Sequence, residues 1–162
     1  MKVVLDTNIL ISGIGRPEGA PGQIVSAWLE GKFDLVVSEA SLEEFRRVLL
    51  YPKIRKLLMQ AGLVDDDLRD YIDIMRMKAI TVSTDNVLLP IAPSDPKDTH
   101  VLEALVASGA EFLVTGDKKH LLSLGMAQIV TAADFAARLQ AFSSPASPVA
   151  ATGNSVPRRR KK

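Results

Sequence analysis

Five short apolar runs recur along the chain, at Val3 to Leu5, Leu35 to Val37, Ile80 to Val82, Phe112 to Val114 and Gln128 to Val130, with longer patterned segments between them. Runs of this length, rich in β-branched residues, are too short for helices but long enough for buried strands. The intervening segments carry apolar residues three and four apart, the period of one helix face. Ile24, Trp28 and Leu29, closed by Gly31, mark one helix, and Leu42, Phe45, Val48 and Leu49 mark a second. Ile54 to Met59 and Leu68 to Met77 give two more, the latter opened by Asp65-Asp66-Asp67, where the helix dipole favours acid. Val101, Leu102, Leu105 and Val106 give a fifth that ends at Gly109, and Thr131 with Asp134 has the pattern of a capping box opening a sixth. Strands alternating with helices predict an α/β domain on a central parallel five-stranded sheet with both faces covered. Such sheets place their sites at the carboxyl ends of the strands.

Composition narrows the options. A chain of 162 residues, 47% hydrophobic, can bury one good core but is short for two. One domain over residues 1–142 is expected, followed by a tail over 143–162 that is rich in Ser, Pro and Ala, has little to bury and reads as disordered. The 20 Lys and Arg against 19 Asp and Glu leave a formal charge of +1, so the whole chain exerts no strong pull on nucleic acid. With no cysteine and two histidines, disulfides and thiolate metal sites are excluded and an imidazole-built zinc site is disfavoured. A bound metal is therefore expected to be held by oxygen. The start, Met1-Lys2-Val3-Val4-Leu5, lacks the apolar region of a signal peptide, and no run approaches the roughly 18 apolar residues of a membrane span. No membrane association and a cytoplasmic location are expected.

Four carboxylates fall where a parallel sheet would gather them. Asp6 directly follows a strand, Asp117 stands just beyond another, and Glu44 and Asp98 each stand near the start of a helix. Each also has an ordinary structural role open to it. Asp6 fits an Asx-turn or a cap, and Asp117 fits a Gly-Asp turn. Glu44 fits a capping box with Ser41, although helical phase sets it nearer the apolar stripe of Leu42, Phe45, Val48 and Leu49 than Glu43. Asp95 fits an N-cap, with Pro96 as the first helical residue and Asp98 in the first turn, on the same side as Val101, Leu102 and Leu105. His100 and His120 read as surface or capping residues. The coincidence of four acids at one sheet edge favours a shared site.

The segments Val4-Leu5-Asp6-Thr7-Asn8, Leu42-Glu43-Glu44-Phe45, Asp95-Pro96-Lys97-Asp98 and Leu113-Val114-Thr115-Gly116-Asp117 resemble, in this order, a PIN-domain protein. The likeness spans about residues 1 to 141 and is nearest to the bacterial branch classed as toxin components of toxin-antitoxin pairs. It implies a three-layer α/β/α fold and a metal-dependent ribonuclease that hydrolyses RNA phosphodiester bonds. Carried over position by position, Asp6, Glu44, Asp98 and Asp117 become the catalytic and metal-binding acids, with Thr7, Asn8, Asp95 and Thr115 supporting them. The resemblance further implies Mg2+ or Mn2+ as cofactor, an antitoxin protein as a partner, and a homodimer. Relatives often carry another acid soon after the fourth, whereas this chain has Lys118 and Lys119. Occupancy by two cations is therefore expected to be unequal. The tail cations Arg158, Arg159, Arg160, Lys161 and Lys162 are expected to add salt-sensitive RNA affinity, or else to be a solubilising end.

Other families that set an acid after a first strand fit less well. A haloacid-dehalogenase-like phosphatase needs an acid where Asn8 stands, and a receiver domain needs an acidic pair for which the chain begins too close to Asp6. A non-catalytic RNA-binding or assembly module of the same fold is the remaining alternative, and such modules typically lose acids.

Overall fold

The computed structural model describes residues 1–143, in which the five expected strands pair into one all-parallel sheet. β1 (Lys2–Leu5), β2 (Asp34–Ser38), β3 (Ile80–Val82), β4 (Phe112–Val114) and β5 (Ile129–Val130) stand in the order β3-β2-β1-β4-β5. β1 is central, and the order reverses beside it, which is where the connections leave the sheet in opposite directions and open a cleft at the strand ends. The register sets Leu5 against Val114, so Asp6 and Thr115 leave neighbouring strands side by side. The Asp6 amide extends the ladder by one step, donating to the Val114 carbonyl at 3.0 Å.

Successive strand residues face opposite sides of a sheet. Val3, Leu5, Leu35, Val37, Val114 and Val130 join one core, while Val4, Val36, Leu113 and Ile129 join the other. The first core is closed by α1 (Thr7–Gly15), α2 (Ala20–Leu29), α3 (Glu39–Leu49), α4 (Pro52–Gln60), α5 (Asp65–Lys78) and α7 (Ala132–Ser143). The second is closed by α6 (Thr99–Ser108), with Leu121 beside it. This is a three-layer α/β/α fold with unequal outer layers. Each fully buried aliphatic or aromatic side chain in it contributes about 1.5–3 kcal/mol.

One helix was not expected. α1 has the sequence Thr-Asn-Ile-Leu-Ile-Ser-Gly-Ile-Gly, in which β-branched residues and glycine lower helix propensity. Tertiary burial overrides that preference, because Thr7, Ile9, Leu10, Ile11, Gly13 and Ile14 are all buried. Gly13 also permits close contact with α2: a Cβ there would lie 2.6 Å from both the Pro21 carbonyl oxygen and Val25 Cγ2.

Two local expectations change. The Ser41–Glu44 capping box does not form, because α3 already begins at Glu39 under Ser38, whose Oγ accepts from the Ser41 amide at 3.1 Å. Asp98 stands not in an α-helical first turn but at the end of a short 3-10 turn, Pro96–Asp98, that leads into α6. Asp95 does cap that turn, accepting from the Lys97 amide at 3.0 Å. No helix among the described residues is long and apolar enough to cross a membrane. The tail over 143–162, including Arg158 to Lys162, lies outside the described residues apart from Ser143, the last residue of α7.

Candidate metal centre

Asp6 occupies the N-cap position of α1, yet its carboxylate makes no capping hydrogen bond. It turns across the sheet edge instead, where the fully buried Thr115 hydroxyl donates to Asp6 Oδ2 at 2.6 Å. Burial pushes the Asp6 carboxyl above its usual range; the Thr115 hydrogen bond opposes the rise and the Glu44 charge adds to it. Asn8, one residue along α1 from Thr7, is exposed, and its side-chain amide lies against Gly116.

Glu44 lies on the half-buried side of α3, whereas Glu43 is exposed and pairs with Arg46 at 3.2 Å. The Thr7 hydroxyl donates to Glu44 Oε2 at 2.6 Å. His100 Nε2 stands 2.9 Å from the same oxygen, close enough for an ion pair but not aligned as a hydrogen bond. The His100 contact is the main reason the Glu44 carboxyl sits below its usual range, against the opposing effect of burial. Burial works against the charged form of His100, but Glu44 outweighs it and the imidazole is raised.

Asp117 is tied into its own loop. Its Oδ1 accepts from the amides of Lys119 and His120, both at 2.9 Å, and its Oδ2 lies 2.9 Å from His120 Nδ1. The amide hydrogen bond from His120 is the first of the contacts that hold this carboxyl low. The expected turn role is therefore real, and the Asp117 amide in turn donates to Thr115 Oγ1 at 3.0 Å. A single threonine hydroxyl thus links the acids after β1 and β4.

Asp98 differs from the other three. Its Oδ2 is fully buried and has no hydrogen-bond partner among the described residues. Burial raises its carboxyl, and the charges of Asp117, Asp6 and Asp95 raise it further. An unpartnered carboxylate oxygen facing three other acids is a costly arrangement unless a cation compensates it. The donor set fits a divalent ion for that reason. Asp95, Asp98 and His120 each bring one ligand atom within 4.8 Å of the others. No trio drawn from Asp6, Glu44, Asp98 and Asp117 does so among the described residues, since Asp6, Glu44 and Asp117 are each drawn toward their own partners.

A sequence profile described as PIN domain matches residues 2–119, a span that holds all four acids and His100 and ends one residue before His120. The chain belongs to the PIN-domain family. PIN domains are generally nucleases, usually dependent on a divalent metal, and they act on RNA. This PIN domain is also 41% identical over 58 residues to an uncharacterized protein of Methanocaldococcus jannaschii, an alignment covering 36% of this chain and 37% of the relative. The match thus spans little more than a third of the archaeal protein. No solved structure matches the chain.

The two histidines escaped the sequence reading. His120 follows Asp117 by three residues, a spacing that fits a contact on one turn but is common without one, whereas His100 meets Glu44, far from it in sequence, so no local spacing signals that contact. Only the packed structure shows which rings turn inward.

Proposed function

We propose that this PIN domain is an endoribonuclease that hydrolyses RNA phosphodiester bonds with Mg2+ or Mn2+ held at Asp6, Glu44, Asp98 and Asp117. The observation that carries the reading is Asp98 Oδ2, buried, unpartnered and surrounded by the charges of Asp117, Asp6 and Asp95. Thr115 orients Asp6, Thr7 and His100 orient Glu44, and His120 orients Asp117, so the carboxylates are pre-positioned rather than free to rotate. Asn8 and Asp95 complete the surrounding set. When bound, the cation supplies Lewis-acid polarisation of the phosphate and a lowered pKa for the attacking water. Beside Glu44 and His100 runs a groove of ≈ 400 Å³ whose lining includes Arg47 and Lys97, cations suited to phosphates flanking the scissile one.

Cleavage of a mixed RNA panel by wild type and Asp6→Asn, with and without Mg2+ or Mn2+, tests this. Cleavage that needs both the metal and Asp6 is expected. RNA binding without any metal-dependent cleavage would instead make the chain a non-catalytic RNA-binding module.

The finer assignment is the toxin of a toxin-antitoxin pair, acting as a homodimer in the cytoplasm and restrained by an antitoxin protein. It is supported by the four motifs and their order. Growth arrest on expression of wild type but not Asp6→Asn is the expected outcome. We assign residues 1–142 to the nuclease domain and 143–162 to a basic tail whose Arg158, Arg159, Arg160, Lys161 and Lys162 add RNA affinity by counterion release. Truncation after Phe142 is expected to weaken RNA binding at low salt and to leave turnover at saturation nearly unchanged.

A further inference from the structure

We infer that Asp95, Asp98 and His120 form a second cation site beside the four-carboxylate one, with the His120 imidazole as a nitrogen ligand that selects a first-row transition ion over Mg2+. The inference rests on the nuclease reading only through Asp98, which borders both sites.

Three observations converge. One ligand atom from each of the three residues lies within 4.8 Å of the others, a separation that a single ion can span. Asp98 Oδ2 is buried with no hydrogen-bond partner among the described residues, so it lacks the donor that every other acid of the cleft has found. Asp95 commits Oδ1 to the Lys97 amide, which fixes the carboxylate while its second oxygen can turn to an ion.

The third ligand is prepared by Asp117. Its Oδ2 lies 2.9 Å from His120 Nδ1 and holds the ring in place. With Nδ1 turned to a carboxylate oxygen, Nε2 is the ring nitrogen left to face an ion. A carboxylate that fixes the tautomer and orientation of a ligating histidine is the usual support for a metal-bound imidazole. The same two carboxylates without the ring would suit Mg2+, which prefers an all-oxygen shell and gives up water reluctantly. Adding an imidazole moves the preference toward Mn2+ and the later ions of the row. At this site the proposed shell adds one nitrogen to the oxygen ligands expected from composition. Lys118 and Lys119, whose charge was expected to weaken a second ion, are both exposed, and solvent screens them.

The test uses the full chain without RNA, with Mn2+ as probe. Pulsed electron paramagnetic resonance of bound Mn2+ detects 14N coupling from a ligating imidazole, and calorimetry compares Mn2+ with Mg2+. Wild type is expected to show 14N coupling and to bind Mn2+ at least about tenfold more tightly than Mg2+. His120→Gln should lose both features, and His100→Gln, which alters the other histidine, should keep both. Circular dichroism melts establish that each variant is folded. Absence of 14N coupling in wild type, or its survival in folded His120→Gln, would overturn the inference. Coupling that depends on His120 in a protein that cuts no RNA would sustain the inference and sink the nuclease reading.

Discussion

The Thr115 hydroxyl donates to Asp6 Oδ2 at 2.6 Å, joining residues 109 positions apart across the seam between β1 and β4. The same oxygen, Thr115 Oγ1, accepts the Asp117 amide at 3.0 Å, so one buried side chain sets the direction of two acids. Thr115→Val keeps the volume and removes the hydroxyl. A hydrogen bond to a charged group is worth about 1.5–3 kcal/mol, so kcat should fall by about 10- to 100-fold. The Asp6 carboxyl, already raised by burial, should rise further without its donor, moving the acid limb of the pH-rate profile to higher pH. An unchanged profile in a folded variant would show that Thr115 does not act through Asp6.

The two glutamates of α3 separate by exposure. Glu44 meets Thr7 and His100, whereas Glu43 faces solvent beside Arg46. Glu44→Gln is expected to lower cleavage by at least about 100-fold, the scale for losing one preorganised electrostatic contact, and Glu43→Gln by less than about twofold. Steady-state kinetics on one RNA substrate compares them, and equal losses would remove Glu44 from the site.

The Glu44–His100 contact gives the metal-free protein a pH signature. The Glu44 carboxyl is lowered from 4.5, so its contribution to stability is present above that value and is lost as pH falls through the folded pKa. The His100 imidazole is raised from 6.5, so its contribution is full below that value and is lost as pH rises through the folded pKa. The pair therefore stabilises most between 4.5 and 6.5. Thermal melts of wild type in chelator should show a decline above that window that is missing from His100→Gln. Parallel pH profiles for the two proteins would refute the coupling.

The surroundings of Asp98 set its charge against the stability of the metal-free fold. Its carboxyl is raised by burial and by three neighbouring acids, so at neutral pH its charge destabilises the metal-free fold. Asp98→Asn should melt above wild type in chelator, by about 2–4 °C for each kcal/mol of relieved repulsion in a domain of this size. The order should reverse when Mg2+ or Mn2+ is added, because only the wild type retains the ligand. A variant less stable than wild type in chelator would mean that Asp98 has a partner in solution.

Among the described residues, the five strands, six of the seven α-helices and the parallel α/β class were legible in the sequence because they depend on local signals: β-branched runs, helical spacing and caps. Asp6 and Asp117 could be placed at strand ends on the same grounds, since a strand's end is a local property. The strand order β3-β2-β1-β4-β5 was not local, and it is this order that sets Asp6 beside Thr115. α1 was hidden because burial of Ile9, Leu10, Ile11 and Ile14 outweighs the poor propensity of its own residues. The roles of His100 and His120 were hidden for a related reason. Sequence spacing leaves a side chain's rotamer open, and the packing of α6 and of the loop after β4 aims one ring at Glu44 and the other at Asp117. Local chemistry therefore determined which residues can carry charge at the sheet edge. Tertiary structure decided which of those charges meet, because long-range pairing alone fixes distances between residues far apart in the chain.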